Sequence, residues 1–224
     1  MCTLTFIPTG QNGFIVTNNR DEAPGRETIG PKTYTKNKVK STYPKDKVAG
    51  GTWLGTSDKN RLVCLLNGGF TAHRPTGNYR LSRGIVVTNT LVADNALSSI
   101  SSFDFSGVEP FTLVLIEWHP TIVVHQVVWD GASAHISAKE NLPHIWSSSL
   151  LYSAKAKQRR EQWFSSFLNY NQSPSAEKTL QFHKTAGDGN PKTDLVMDRG
   201  FVKTKSISQI ILKGGKTKFN YLKM

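Results

Sequence analysis

The sequence predicts an α+β protein built on antiparallel sheets. Three observations carry this. Strand-like and helix-like segments come in runs, in the order strands, helix, strands, helices, strands, rather than in strict alternation. Glycine-rich turns of hairpin type join neighbouring strand-like segments. No repeat, low-complexity tract or composition break divides the 224 residues, so a single domain over residues 1–224 is expected.

The elements follow in order. Residues 2–8 and 13–18 read as two strands around Thr9-Gly10-Gln11-Asn12-Gly13, a hairpin turn. Residues 19–60, rich in Pro, Gly, Lys and Thr, read as long loops with short strands, one near Trp53-Leu54-Gly55. Residues 61–67 are an apolar run closed by Asn67-Gly68-Gly69, the pattern of a buried strand before a turn. Between 82 and 102, Ile85, Val86, Leu91, Val92, Ala96, Leu97 and Ile100 recur near helical spacing and predict one amphipathic helix. Phe111–Trp118 and Ile122–Trp129 read as a hairpin about His119-Pro120, with a further strand near 133–137. Residues 150–170 predict a second long helix, with Trp163, Phe164 and Phe167 inside and Arg159-Arg160-Glu161 on its solvated face. Ser173-Pro174-Ser175-Ala176-Glu177 is a helix start. The chain closes on strands at 200–212 and 217–222 about Gly214-Gly215.

Composition narrows the function. With 38% hydrophobic and 20% charged residues the chain is ordinary for a globular protein. The net charge of +12 gathers at Lys32–Lys47 and Lys203–Lys223, which reads as solvated lysine on loops and edge strands. No nucleic-acid motif accompanies it, so no nucleic-acid partner is expected. No run reaches 18 apolar residues and no targeting segment is visible, so neither a membrane span nor export is expected. Two cysteines do not make a disulfide framework, and Cys64 in Leu62-Val63-Cys64-Leu65-Leu66 reads as a small buried hydrophobe. A reducing, cytoplasmic location follows. The six histidines and two cysteines show no metal-ligand spacing, so no metal and no cofactor are expected. His183, ahead of Gly187-Asp188-Gly189-Asn190, is placed near a loop beside the site.

Chemistry points to Cys2. Removal of the initiator methionine is expected before so small a residue, and it would leave a thiol nucleophile and an α-amine on one residue. An α-amine titrates near 7.7–8.0, low enough to take the thiol proton. The hairpin would return Asn18-Asn19-Arg20-Asp21-Glu22 beside the chain start. Arg20 could then lower the thiol pKa and bind an oxyanion, and Asp21 could anchor the α-ammonium.

The pairing of Met1-Cys2 with Asn19-Arg20-Asp21-Glu22 resembles the NRDE family, the transport-and-Golgi-organisation type. Gly50-Gly51-Thr52-Trp53-Leu54-Gly55, Asn67, Ser82-Arg83-Gly84 and Ser147-Ser148-Ser149-Leu150-Leu151 resemble further segments of it. The family is similar in turn to the choloylglycine hydrolase and penicillin V acylase group of N-terminal-nucleophile hydrolases. The resemblance implies a four-layer αββα sandwich of two antiparallel sheets. It implies cleavage of a non-peptide C–N amide bond through a thioester on Cys2, with Arg20 and Asp21 as polar partners. Asn67 would be an oxyanion donor, and Ser148 stands where relatives commonly carry Asn. Asn19, Trp53 and Lys205 would bind substrate, Lys205 replacing an arginine; Trp53 can equally fill the core. The implied partner is a small-molecule amide or acylated anion, and a homo-oligomer is compatible. The alternative on the same fold is a non-catalytic carrier or chaperone for haem or an acylated anion.

Overall fold

The computed structural model describes residues 2–224; the expected loss of Met1 concerns a residue outside them. The chain groups into two compact units, one built from the chain up to Gly25 with Leu142–Met224, the other from Arg26–Asn141. Each holds one antiparallel sheet and two helices, as an α+β chain should.

The first unit carries β1 (Cys2–Pro8), β2 (Phe14–Glu22), β10 (His144–Ser147), α3 (Ala154–Tyr170), α4 (Ala176–Thr185), β11 (Lys203–Lys213) and β12 (Lys216–Lys223). Its sheet runs β10-β1-β2-β11-β12. The β1–β2 hairpin turns where expected, closed by the Thr9 N–H to Gly13 carbonyl bond at 2.8 Å. β2 continues to Glu22, four residues beyond the expected end, because β11 pairs with it along its whole length. The register shifts once, between Thr204 and Ser206, leaving Lys205 in a bulge. Ser153 and Ser175 cap α3 and α4 by accepting from the N–H groups of Ala156 and Lys178. One side of the sheet packs its Ile7 with Phe164 and Phe182 of the helices and with Leu195. Four-residue β10 escaped the sequence reading, since its alternation is too brief to register.

The second unit carries β3 (Thr28–Lys36), β4 (Val39–Asp46), β5 (Leu54–Ser57), β6 (Arg61–Asn67), α1 (Arg83–Val92), α2 (Ala96–Ser101), β7 (Phe111–Glu117), β8 (Val123–Trp129) and β9 (Ala134–Lys139) in one sheet of that strand order. Val86, Val87 and Leu91 of α1 and Ile100 of α2 pack on Val63, Leu65, Leu113, Leu115 and Val127. Each such side chain contributes roughly 1.5–3 kcal/mol by leaving water.

Three expectations are corrected here. The stretch 19–60 is not mainly loop. Much of it is a hairpin of β3 and β4, turned at Asn37 and Lys38, both at positive φ. Lysines Lys32, Lys36, Lys40 and Lys45 ride on these strands, with β3 at the sheet edge. The helix expected over 82–102 is two helices, because Asn95 leaves the helical conformation and caps α2 by accepting from Ser98 N–H at 2.9 Å. Arg160 is not solvated but fully buried.

The segment Gly50–Gly55 shows why it is glycine-rich. Gly50 has φ +72°, and a Cβ on Gly51 would lie 2.5 Å from the backbone of Gly84 at the start of α1. The segment is a close seat for α1, with Thr52 N–H reaching the Gly84 carbonyl at 3.3 Å.

Candidate active site

Strand register places the sequence-derived residues. Cys2 opens β1, and Arg20 stands directly opposite it in β2. Ser206 of β11 stands opposite Arg20 in turn. Directly opposed residues share a face, with Cβ atoms about 5 Å apart, so Cys2, Arg20 and Ser206 form one row. The hairpin thus brings Arg20 beside Cys2, as its strand lengths required. Ser148, just past β10, donates its backbone N–H to the Cys2 carbonyl at 3.0 Å and is fully buried.

Cys2 is fully buried. Burial pushes its thiol pKa up and the Asp21 carboxylate adds to this, while the Arg20 guanidinium and a hydrogen bond from Asn18 pull it down. The Arg20 guanidinium lies 3.7 Å from the Glu22 carboxylate.

Asp21 follows Arg20 in the strand and so projects from the opposite face. There it is fully buried and meets Tyr152, whose hydroxyl donates to Oδ2 at 2.7 Å, and Thr204, whose hydroxyl donates to Oδ1 at 2.7 Å. Thr204 accepts from the Met197 N–H at 2.9 Å, which leaves its proton for Asp21. Burial raises the Asp21 pKa, against which the Arg160 guanidinium and both hydroxyls act. With a donor on each oxygen and a buried cation nearby, the ionised form is the one the geometry holds. Burial pushes the Tyr152 phenol well above its usual value, so it stays a donor.

Arg160 is the hub of this face. Its guanidinium lies 3.5 Å from the Tyr152 ring centre, donates to the Thr3 hydroxyl, and binds the Thr193 carbonyl at 2.9 Å and the Asp194 carbonyl at 2.6 Å. His183 stands beside it, fully buried, its pKa pushed down to about 3 by burial first and Arg160 second. The neighbours of His183 fix its tautomer. The Asn19 amide donates to the carbonyls of His183 (3.0 Å) and Leu195 (2.8 Å), so its oxygen can only accept. That oxygen lies 2.6 Å from Nδ1, which must therefore carry the proton. Nε2 is then the acceptor for the Thr5 hydroxyl at 2.7 Å.

The remaining expected residues are placed as follows. Asn19, the expected substrate ligand, has its whole amide engaged in tying β2 to α4 and the Leu195 segment. Lys205, in the bulge, donates to the Pro24 carbonyl. Asn67 ends β6, and Trp53, largely buried, precedes β5; both belong to the second unit. His183 supports the sheet from α4 rather than lining a loop. Tyr152, Thr204 and Arg160 were not foreseen. Only spatial proximity reveals them, and nothing in the Arg159-Arg160 pair marks which arginine turns inward.

Two cavities of this unit, about 470 Å³ and 270 Å³, are lined by residues such as Gly13, Leu212 and Pro174 and by Pro8, Gly10 and Pro174. They lie at the turn end of the strands, away from Cys2. Among the described residues, no three His, Cys, Asp or Glu gather as a metal site. Among the described residues, no helix is long and apolar enough to cross a membrane.

Comparison with solved structures shows the fold. A Caenorhabditis elegans orthologue of N-acylethanolamine-hydrolyzing acid amidase matches with a TM-score of 0.62 at 12% identity, over 93% of this chain and 92% of that one. A mutant of conjugated bile acid hydrolase from Clostridium perfringens matches with 0.55 at 9%, over 100% and 92%. Penicillin V acylase from Agrobacterium tumefaciens matches with 0.52 at 9%, over 100% and 86%. These are N-terminal-nucleophile hydrolases of the αββα sandwich fold, the fold class the sequence resemblance implied. No curated protein sequence matches the chain. The family model described as Transport and Golgi organisation 2 matches residues 1–217, and it is the same family that the Asn19-Arg20-Asp21-Glu22 motif marks; the chain belongs to that family.

Proposed function

We propose that the protein is a cysteine N-terminal-nucleophile amidohydrolase acting on a small, non-peptide linear amide. The carrying observation is the direct opposition of Cys2 and Arg20 at the start of β1. The reading requires Cys2 to become the first residue. Its α-amine then supplies the base that a buried, raised-pKa thiol needs.

The steps balance on that residue. The α-amine takes the thiol proton and the thiolate attacks the amide carbonyl. Arg20 and the Ser148 hydroxyl stabilise the oxyanion, a role worth roughly 3–4 kcal/mol per donor in other hydrolases. The α-ammonium protonates the departing nitrogen, the C–N bond breaks, and a thioester remains. The amine next deprotonates a water, which attacks the thioester and releases a carboxylic acid and the thiol. Asp21, held ionised by Tyr152 and Thr204, favours the ammonium form between these steps. The strand nitrogen lies in the sheet plane, so a carboxylate from one face and a thiol from the other can share it.

A second reading is a non-catalytic ligand carrier, and the complete burial of Cys2 favours it. One experiment separates the two: intact mass before and after a thiol-reactive probe, with Cys2→Ala as control. The hydrolase reading expects a mass lacking methionine, one fast adduct confined to Cys2, and amide turnover that Cys2→Ala abolishes. Retained Met1, or a Cys2 no faster than a free thiol, would sink it in favour of the carrier.

A further inference from the structure

We propose that the free edge of β9 is a self-association surface, where a second copy of this chain pairs its own β9 antiparallel about a two-fold axis at Ile136. The surface belongs wholly to the second unit and is independent of the chemistry at Cys2.

An open sheet ends in strands whose outer N–H and C=O groups invite another strand. Three of the four edges here are blunted. β3 carries Pro31, Lys32 and Lys36 and is bulged between Ile29 and Lys32. β12 carries Lys216, Lys218 and Lys223, and β10 is four residues long. β9 has none of these defences. It runs Ala134-His135-Ile136-Ser137-Ala138-Lys139 without proline, glycine or bulge, and its one lysine stands at the end. All of Ala134–Ala138 are exposed. Two large apolar side chains are exposed at the same place: Ile136 at 40% and Phe70 at 56%, the Phe70 ring meeting His135 edge-on with centres 5.0 Å apart. The lysine clusters behind the net charge lie on other strands. β9 and its flanking residues carry Asp130, His135, Lys139 and Glu140, a mixed set that does not repel its own copy.

The turn into β9 shows which backbone groups are free. Asp130 N–H donates to the Ser133 carbonyl at 3.2 Å, so these two are a hydrogen-bonded pair and every second residue of β9 after Ser133 bonds β8. Ala134, Ile136 and Ala138 fall between, opposite Trp129, Val127 and His125, and point their N–H and C=O groups outward. An antiparallel copy centred on Ile136 sets Ile136 against its twin and Ala134 against Ala138, and every outward group is then paired. Such a contact is isologous and closes as a dimer. The side chains agree with this register. On one side the two Ile136 meet between alanines. On the other, His135 faces Ser137 and Lys139 faces Ser133. The Ser133 N–H is held at 2.8 Å by Asp130 Oδ1, while Oδ2 lies 2.8 Å from His135 Nε2. The N–H groups of Ser133 and Ala132, and then His135, hold the Asp130 carboxyl down at about 2, so it is ionised. Lys139 of each copy therefore lands beside an ionised Asp130 of the other. Glu140, just past the strand, comes level with Ala132, and alternation turns it to the Ile136 side. Exposed ion pairs of this kind add little affinity but fix register. One strand edge buries less than a standard interface, so the association is weak and depends on concentration.

Sedimentation velocity of the full chain, from about 1 to 500 µM, reads the association. A dimer with a Kd on the order of 10–100 µM is expected, at the weak end of protein interfaces. Ile136→Lys sets two ammonium groups against each other at the axis, and Lys139→Glu sets a carboxylate beside Asp130. Each is expected to raise Kd about tenfold or more while moving the melting temperature by less than about 2 °C, since both residues stand at an exposed edge. Cross-linking under copper–phenanthroline oxidation reads the register. Ile136→Cys sets two thiols in the directly opposed pair, with Cα atoms about 5.5 Å apart and within disulfide reach. Ala134→Cys sets them four residues apart along the strands, about 14 Å and beyond reach. A disulfide-linked dimer from Ile136→Cys and none from Ala134→Cys upholds the axis. A dimer undisturbed by Ile136→Lys, or equal cross-linking at both positions, would overturn the proposal. So would a chain that stays monomeric at every concentration, which would leave the edge to a strand from a different protein.

Discussion

The two faces of the five-stranded sheet are built on opposite plans. On the helix-facing side, every buried polar side chain named above has its partners. Thr3 meets Arg160, Thr5 and Asn19 meet His183, Asp21 meets Tyr152 and Thr204, and Gln209 meets Thr17. On the Cys2 side, Ser206 and Ser208 are buried with no hydrogen-bond partner for either hydroxyl among the described residues. Adjacent residues of one motif divide accordingly: Arg20 belongs to the face of the thiol, Asn19 and Asp21 to the face of support. A saturated network fixes geometry and takes no ligand, whereas an unsaturated one keeps capacity for a ligand at a cost in stability. The reactive face can be loosely bonded because its reverse is not.

The sharpest way to break this comparison is to remove the hub of the saturated face. Arg160→Ala deletes four hydrogen bonds and leaves Asp21 buried without its cation. A loss of about 3–5 kcal/mol is expected, the scale for breaking a buried charge pair. Urea denaturation measures it. A loss below about 1 kcal/mol would show that the network is not a unit.

His183 gives the next largest effect, through pH. Its folded pKa of about 3 lies below the unfolded value near 6.5, so the folded state refuses a proton that the unfolded state accepts. Its contribution is complete above pH 6.5 and is lost as pH falls toward 3. The slope approaches about 1.4 kcal/mol per pH unit once the unfolded histidine is charged. Between pH 6.5 and 5 that amounts to roughly 1.5 kcal/mol. His183→Gln, which cannot charge, should flatten this part of the stability profile. An unchanged slope would mean that another group titrates there.

Much of this arrangement was legible in the sequence. Period-two apolar runs and a glycine turn placed β1 and β2, and a hairpin of that length must set Arg20 beside Cys2. The division of Arg20 from Asp21 between faces also follows from strand alternation, once the strand is carried past residue 18. The sequence reading ended the strand at Asn18 and put Asn19 in a loop. They are strand residues because β11 satisfies their backbone from nearly 190 positions away. The Arg160 network was illegible for the same reason, since its partners Thr3, Tyr152 and Thr193 meet only in three dimensions. Glycines at 50 and 51 were readable as a close approach, but their neighbour, Gly84, was not.

The smallest expected effect falls where the two faces meet. Lys205 occupies the bulge between Thr204, which serves Asp21, and Ser206, which faces with Arg20. Its own side chain does neither job, since the ammonium reaches out to the Pro24 carbonyl. The fold needs an extra residue there, not a cation. Lys205→Ala should therefore cost no more than about 0.5 kcal/mol, the range of a surface substitution. It should leave the rate of Cys2 alkylation within about twofold, because a pKa shift of one unit would require about 1.4 kcal/mol of interaction with the thiol. A tenfold fall in alkylation would overturn this placement and put the lysine in the charge environment of Cys2. Lys205→Arg would then restore the rate, whereas under the bulge account both substitutions are silent.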